Sequence, residues 1–139
     1  MPKPTSDQAP LILVADDESH IVHVVTLKLR NAGYRVISAQ DGQEALDLAF
    51  EHRPALVITD YQMPRVTGLE LCQRLKADER TRRTPALMLT ARGFSLGEEV
   101  LAATNITSVM SKPFSPREVL GHVQKLLSEQ ADESTVPAK

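Results

Sequence analysis

The chain has 139 residues, of which 42% are apolar and 24% are charged, and its 16 basic and 18 acidic residues give a formal net charge of -2. This is the composition of one ordinary globular domain. It provides no basic excess for nucleic acid, no second cysteine for an intramolecular disulfide and no apolar run long enough to span a membrane. We therefore expect a cytoplasmic protein without direct nucleic-acid or membrane contacts.

Both ends of the chain are predicted to be disordered. Residues 1–10 carry three prolines, and residues 129–139 are mostly polar. Neither stretch holds enough apolar side chains to offset the entropy lost on ordering. The folded domain is therefore predicted to span residues 11–128. The sequence leaves open whether an output domain follows residue 139.

Strand and helix patterns alternate five times between those limits. Short apolar runs predict strands buried on both faces, and apolar residues three or four apart predict amphipathic helices. In chain order, strands are predicted at 11–15, 35–39, 55–59, 86–90 and 106–110, and the helices that follow them at 21–32, 44–51, 68–77, 96–103 and 116–127. Ser115 and Glu118 form a capping box for the last helix. Five such units predict an α/β fold, a parallel sheet with helices on both faces.

Polar side chains stand at the ends of four predicted strands. Asp16 and Asp17 follow the first strand, Asp60 follows the third, Thr90 ends the fourth, and Lys112 lies just after the fifth. If these strands are neighbours, the side chains face one crevice at the carboxyl edge of the sheet, where such folds place their chemistry. Clustered carboxylates repel one another unless a cation intervenes, and Mg²⁺ accepts carboxylate and phosphate oxygens. An aspartate in such a crevice can attack phosphorus.

Four motifs, at residues 14–18, 57–64, 87–91 and 111–114, give the chain a recognisable pattern. Over about residues 11–128 it resembles the response-regulator receiver domain, the phosphoacceptor module of two-component signalling, in its single-module, chemotaxis-regulator-like form. The resemblance implies a flavodoxin-like, doubly wound fold with five parallel strands in the order 2-1-3-4-5. That order brings the four polar strand ends together.

The resemblance also implies what the protein does. Asp60 would accept a phosphoryl group, Thr90 would hydrogen-bond that group, and Lys112 would pair with one of its oxygens. The implied donor is a phosphohistidine on a sensor histidine kinase or a histidine phosphotransfer protein. The implied output is contact with an unidentified downstream protein, with a phosphorylation-dependent homodimer left open. Such a protein is a signalling switch rather than an enzyme, with only Mg²⁺-dependent autophosphorylation and slow autodephosphorylation of its own.

Mg²⁺ is the one cofactor that the resemblance implies. Its ligands would be the carboxylates of Asp16, Asp17 and Asp60 and the main-chain carbonyl of Gln62. The peptide bond between Lys112 and Pro113 is usually cis in such domains.

Three positions depart from the family pattern. Gln62 replaces the commoner Asn or Asp two residues after the phosphoacceptor, which bears on the rate of dephosphorylation. Val109 stands where many members carry an aromatic residue whose movement is coupled to that of the threonine. Asn105 ends a Thr-Asn pair in place of the common Gly-Ala, and it is able to adopt a left-handed backbone conformation.

Three other readings remain open. A degenerate receiver would act as a phosphorylation-independent scaffold, and this hypothesis stays open because Val109 replaces the usual aromatic residue. A Mg²⁺-dependent phosphatase of the haloacid-dehalogenase type would need Asp-x-Asp, whereas Asp16 and Asp17 are adjacent. A flavin-binding flavodoxin-like protein would need a Ser/Thr/Gly-rich first loop, which this chain lacks. A small basic cluster, Arg80, Arg82 and Arg83, is interpreted as a solvated loop.

Overall fold

Five strands and five helices alternate along the chain in a computed structural model, which describes residues 9–91 and 96–135. In order they are β1 (Leu11–Ala15), α1 (Ser19–Asn31), β2 (Arg35–Ala39), α2 (Gly42–His52), β3 (Leu56–Asp60), α3 (Gly68–Ala77), β4 (Ala86–Thr90), α4 (Glu98–Ala102), β5 (Ile106–Ser111) and α5 (Pro116–Thr135). All strand pairs are parallel, and the sheet order is β2-β1-β3-β4-β5. The predicted fold class and strand order are confirmed.

The burial of the strands follows their position in the sheet. Every residue of β3 and β4 is buried, whereas the edge strands β2 and β5 mix buried, intermediate and exposed positions. Side chains that alternate along the central strands enter two apolar clusters, one on each face of the sheet, because successive residues of a strand point to opposite faces. The helices cover both clusters, so the uncovered polar groups of the sheet lie at its two ends.

Several boundaries differ from the sequence prediction, most of them by one or two residues. β3 ends on Asp60 itself rather than one residue before it, and α4 is shorter than the predicted helix at 96–103. α5 continues to Thr135, past the predicted domain boundary at residue 128. Helix hydrogen bonds propagate through residues such as Glu, Gln and Ala without apolar partners, which an argument from apolar content overlooks. The last four residues of the predicted C-terminal tail, 136–139, lie outside the described residues.

The amino-terminal residues that the structure describes are tied to β2. Arg35 donates its main-chain N–H to the carbonyl of Pro10 over 3.0 Å, and its Nε donates to the carbonyl of Ala9 over 2.8 Å. These two residues, which fall within the predicted disordered tail, are therefore held against the start of β2. The rest of that predicted tail, residues 1–8, lies outside the described part of the chain.

The predicted capping box at the start of α5 is confirmed. The Glu118 N–H donates to Ser115 Oγ over 3.2 Å, and the Ser115 N–H donates to Glu118 Oε1 over 2.8 Å. Asp41 caps α2 in the same way, by accepting the Glu44 N–H over 2.8 Å. No helix in residues 9–91 or 96–135 has the length and apolar content needed to cross a bilayer.

Candidate functional site

The carboxyl edge of the sheet gathers an acidic cluster. One carboxylate oxygen from each of Asp16, Asp17 and Asp60 lies within 4.8 Å of the others. Asp16 is fully buried and Asp60 is 7% exposed, whereas Asp17 is exposed. Asp16 and Asp17 directly follow β1 and Asp60 ends β3, and the parallel pairing of these adjacent strands places their carboxyl ends side by side.

Main-chain hydrogen bonds between neighbouring strands fix the four strand ends. The Asp16 N–H donates to the carbonyl of Ala39, and the Lys112 N–H donates to the carbonyl of Thr90 over 2.8 Å. Directly after Asp60, the N–H of Tyr61 donates to the carbonyl of Leu89 on β4 over 2.9 Å. The register of the sheet therefore holds Asp60 between the acids after β1 and the hydroxyl that ends β4.

Lys112 is the cation that balances this cluster. Its Nζ lies 2.8 Å from Asp60 Oδ1, 3.1 Å from Glu18 Oε1 and 3.5 Å from Asp16 Oδ2. Partial burial of the ammonium lowers its pKa, but hydrogen bonds to Asp60 and Glu18 and the charge of Asp16 outweigh burial, so the pKa of Lys112 is raised. Lys112 is therefore fully charged at neutral pH. Its peptide bond to Pro113 is cis.

Asp16 carries more charge than the described residues neutralise. Burial raises the pKa of Asp16 to about 6; the Glu18 N–H bonded to Oδ1 opposes that rise, and the nearby Asp60 carboxylate adds to it. Its other oxygen, Oδ2, is buried, and although Lys112 Nζ lies 3.5 Å away, it accepts no hydrogen bond from any described residue. A buried carboxylate of this kind gains from a hard cation supplied with oxygen ligands. The donor set of Asp16, Asp17 and Asp60 thus fits a divalent metal ion.

Gly68 lets α3 approach the site closely. A Cβ added there would overlap the main-chain carbonyl oxygen of Asp60, and the Gly68 N–H donates to Tyr61 over 2.9 Å. The first residue of α3 must therefore be glycine for the loop after β3 to fold back beneath the acidic cluster. Gln62 lies in this loop with an exposed side chain.

Two of the departures from the family pattern have structural consequences. Val109 is half-buried against the apolar cluster that also contains Met88 and Ile106. Asn105 is not among the described non-glycine residues with positive φ, so it does not adopt the left-handed conformation that is open to it. The amide of Asn105 is buried instead, and its Nδ2 donates to the Thr84 carbonyl over 2.6 Å, which fixes the loop before β5 without a glycine-like turn.

Glu18 is a site residue to which sequence reasoning assigned no role. It follows the two aspartates at the end of β1, and its carboxylate is one of the three that contact the Lys112 ammonium. The signal was a third consecutive acid at a strand end that faces a predicted lysine. Thr90, by contrast, was predicted, and its hydroxyl donates to the carbonyl of Met110 over a long 3.4 Å.

Comparisons with known proteins agree with this geometry. The family model described as the response regulator receiver domain matches residues 12–124. The chain is 39% identical over 116 residues to the alkaline phosphatase synthesis transcriptional regulatory protein PhoP of Bacillus subtilis, a match over 84% of this chain and 48% of the relative. It is 39% identical over 118 residues to the DNA-binding dual master transcriptional regulator RpaA of Synechocystis, over 85% of this chain and 49% of the relative. The chain thus spans about half the length of these curated relatives.

Solved structures show the same fold. The chemotaxis response regulator CheY4 of Vibrio cholerae matches with a TM-score of 0.78 and 33% identity, over 85% of this chain and 98% of that one. The receiver domain of the sensor histidine kinase PA1611 from Pseudomonas aeruginosa matches with a TM-score of 0.76 and 27% identity, over 86% and 98%. That second structure has a magnesium ion coordinated in its active-site cleft.

The relatives correct one expectation. We expected no direct nucleic-acid partner from the net charge, and this is wrong, since RpaA is a DNA-binding regulator and PhoP a transcriptional regulatory protein. The net charge of this chain is a single sum over all its residues, and the chain spans only about half the length of such regulators. Contact with phosphates depends on local basic surfaces, which an average does not measure.

Proposed function

Since the chain belongs to the family of response regulator receiver domains, we propose that it is a phosphoacceptor of a two-component phosphorelay in which Asp60 receives the phosphoryl group. The observation that carries the proposal is the position of the Asp60 carboxylate. It lies within 4.8 Å of the other two acids of the cluster and 2.8 Å from the Lys112 ammonium. A nucleophile, two further acids and a cation thus meet at one strand end.

The proposed reaction is transfer from a phosphohistidine to Asp60. A carboxylate oxygen of Asp60 attacks phosphorus, the bond from phosphorus to the donor imidazole nitrogen breaks, and that nitrogen keeps the electron pair. Lys112 pairs with an oxygen of the transferred group, and the Thr90 hydroxyl donates a hydrogen bond to another. The long hydrogen bond of Thr90 to Met110 is weak, so little is lost when the hydroxyl changes partner.

The acidic cluster would hold the metal that this reaction needs. Asp16, Asp17 and Asp60 would bind Mg²⁺ with their carboxylates, and Gln62 would contribute its main-chain carbonyl. When bound, Mg²⁺ supplies positive charge next to the phosphoryl oxygens. Asp16 and Asp17 then serve to orient the cation rather than to react.

The switch in this proposal acts on the α4–β5–α5 surface. A new hydrogen bond from Thr90 to the charged group contributes roughly 1.5–3 kcal/mol. Lys112 already pairs with the Asp60 carboxylate at 2.8 Å, so its bond to the phosphoryl group replaces an existing ion pair. The Thr90 bond alone shifts the equilibrium by roughly 10- to 150-fold, whereas a change from 1:99 to 99:1 needs about 5.5 kcal/mol. None of the five residues of α4 is buried, so this helix is weakly held and easily displaced. Val109 cannot make the ring swing of an aromatic residue, and we propose that displacement of α4 carries the signal instead.

The output follows from the relatives. Since PhoP and RpaA are transcriptional regulators, we propose that the switched surface controls a DNA-binding unit. A sensor histidine kinase or a histidine phosphotransfer protein would supply the phosphoryl group.

The test is phosphoryl incorporation from acetyl phosphate with Mg²⁺, followed by intact mass. The parent protein is expected to gain one phosphoryl group, and Asp60→Asn is expected to gain none. Asp47→Asn, which removes an exposed carboxylate on α2, is the matched control and should behave like the parent. Equal labelling of the parent and Asp60→Asn would refute the assignment.

A further inference from the structure

A second polar cavity lies at the opposite end of the sheet. It has a volume of about 640 Å³ and is bounded by the end of α3, the loops that lead into β4 and β5, and α5. Three cations of the described part of the chain line it: Lys76, Arg82 and Arg83. The proposed phosphorylation chemistry uses none of these residues, because β4 separates the two ends by roughly 16 Å, the length of five extended residues.

The three cations lack acidic partners among the described residues. The contrast with Arg80 in the same loop is direct: its guanidinium pairs with Asp78 at 2.8 Å and lies 4.2 Å from the centre of the Phe50 ring. The basic cluster predicted as a solvated loop therefore divides into one structural arginine and two arginines that border the cavity. Cations without a partner around a concave surface attract an anion.

The charge of the cavity matches one phosphate monoester. Glu129 also lines the cavity and offsets one of the three cations, which leaves a formal charge of +2 on the described lining residues. A phosphate monoester carries about -1.5 to -2 at neutral pH. Arginine pairs with phosphate through two parallel hydrogen bonds, which favours this anion over a diffuse one.

The remainder of the lining fits an organic ring with an N–H donor. Pro85, Ile106 and Leu126 provide apolar surface. Asn105, which is 6% exposed, also lines the cavity, and its Oδ1 is buried without a hydrogen-bond partner among the described residues. A buried acceptor of this kind lacks an N–H or O–H group. The volume is of the size that holds small organic ligands, about 300–1,000 Å³, and far exceeds what one phosphate ion fills.

We propose that this cavity binds a nucleoside monophosphate. Arg82, Arg83 and Lys76 hold the phosphate, and the base lies against Ile106 and Leu126 with an amine directed at Asn105. The receiver domain would then carry a small-molecule site in addition to its phosphoacceptor.

The experiment is isothermal titration of the full chain with adenosine and guanosine 5′-monophosphates, and with inorganic phosphate and adenosine as the two fragments. Saturable binding of a nucleotide is expected, tighter than that of either fragment. The double variant Arg82→Gln, Arg83→Gln should weaken it about tenfold or more. Both side chains are exposed, so the variant should fold like the parent.

Two controls make the test specific. Arg74→Gln removes an exposed arginine of α3 that pairs with Glu70 outside the cavity, and it should leave nucleotide binding unchanged. Asp60→Asn should also leave it unchanged, so failure of this site and failure of the proposed phosphoacceptor are separate results. Absence of saturable binding, equal binding by the double variant, or phosphate binding as tight as the nucleotide would each overturn the proposal.

Discussion

The two ends of the parallel sheet carry opposite charge in different settings. At the carboxyl end, Asp16 and Asp60 are buried and lie close to one another, with the partly buried Lys112 between them. At the amino end, Arg82 and Arg83 are exposed around an open cavity. Burying like charges costs stability, whereas exposed cations cost almost nothing. The buried carboxylates at the carboxyl end therefore do not serve to stabilise the fold, and we attribute them to the proposed phosphoryl chemistry. Substitutions there should alter both activity and stability.

Removal of the central cation should have the largest effect. Lys112→Met leaves the carboxylates without their ammonium and removes a partner of the transferred group. We expect the initial rate of phosphoryl incorporation from acetyl phosphate to fall by about 10²–10³-fold, the usual cost of one electrostatic stabiliser. Lys125→Met, which removes an exposed lysine of α5, is the control and should keep the parent rate. A Lys112→Met protein that reacts as fast as the parent would show that charge at this end is not catalytic.

The cost of burying Asp16 should appear in the pH dependence of stability. The folded protein holds the Asp16 proton up to a pKa of about 6, whereas the ordinary value is 3.8. Between these values the folded state binds more protons than the unfolded state, so this residue's contribution to the free energy of unfolding falls as pH rises. Without Mg²⁺, Asp16→Asn should therefore gain up to about 3 kcal/mol over the parent from pH 4 to pH 7.

Urea unfolding at several pH values measures this difference. A difference in the free energy of unfolding between parent and Asp16→Asn that stays constant across that range would mean that ionisation of Asp16 does not destabilise the folded protein. Addition of Mg²⁺ should stabilise the parent more than Asp16→Asn, because a bound cation neutralises the carboxylate.

Substitution of two glycines compares the tightly packed backbone at the carboxyl end with an open position on α5. Gly68→Ala places a methyl group against the Asp60 carbonyl and should cost about 1–3 kcal/mol, as overpacking does. Gly121→Ala, in α5, meets no atom within 4 Å and should stabilise the protein by up to about 1 kcal/mol. Thermal unfolding of both variants checks the signs, and a neutral Gly68→Ala would mean that the loop beneath the acidic cluster is loosely packed.

The sequence predicted correctly those features that depend on residues close together in the chain. The bounds of β1, β2 and β4 follow from apolar runs between turns, and the Ser115–Glu118 capping box follows from residue spacing. The convergence of Asp16, Asp60 and Lys112 rests on strand order, which the family resemblance supplied and periodicity alone did not.

Features that depend on long-range packing were missed. The third partner of Lys112, Glu18, and the buried amide of Asn105 both result from contacts between segments distant in sequence. The amino-end cavity is formed by α3, two loops and α5 together. Because these segments are distant in sequence, the sequence alone led us to interpret the arginines that line the cavity as part of a solvated loop.

Magnesium titration of the parent and Asp17→Asn tests the central claim most directly. Asp17 is the exposed member of the acidic cluster, so its substitution should leave the fold intact, which circular dichroism verifies. We expect saturable Mg²⁺ binding by the parent and a large loss of affinity in Asp17→Asn. Equal Mg²⁺ affinity in the two proteins would contradict the claim that these strand ends form one cation-binding phosphoacceptor site.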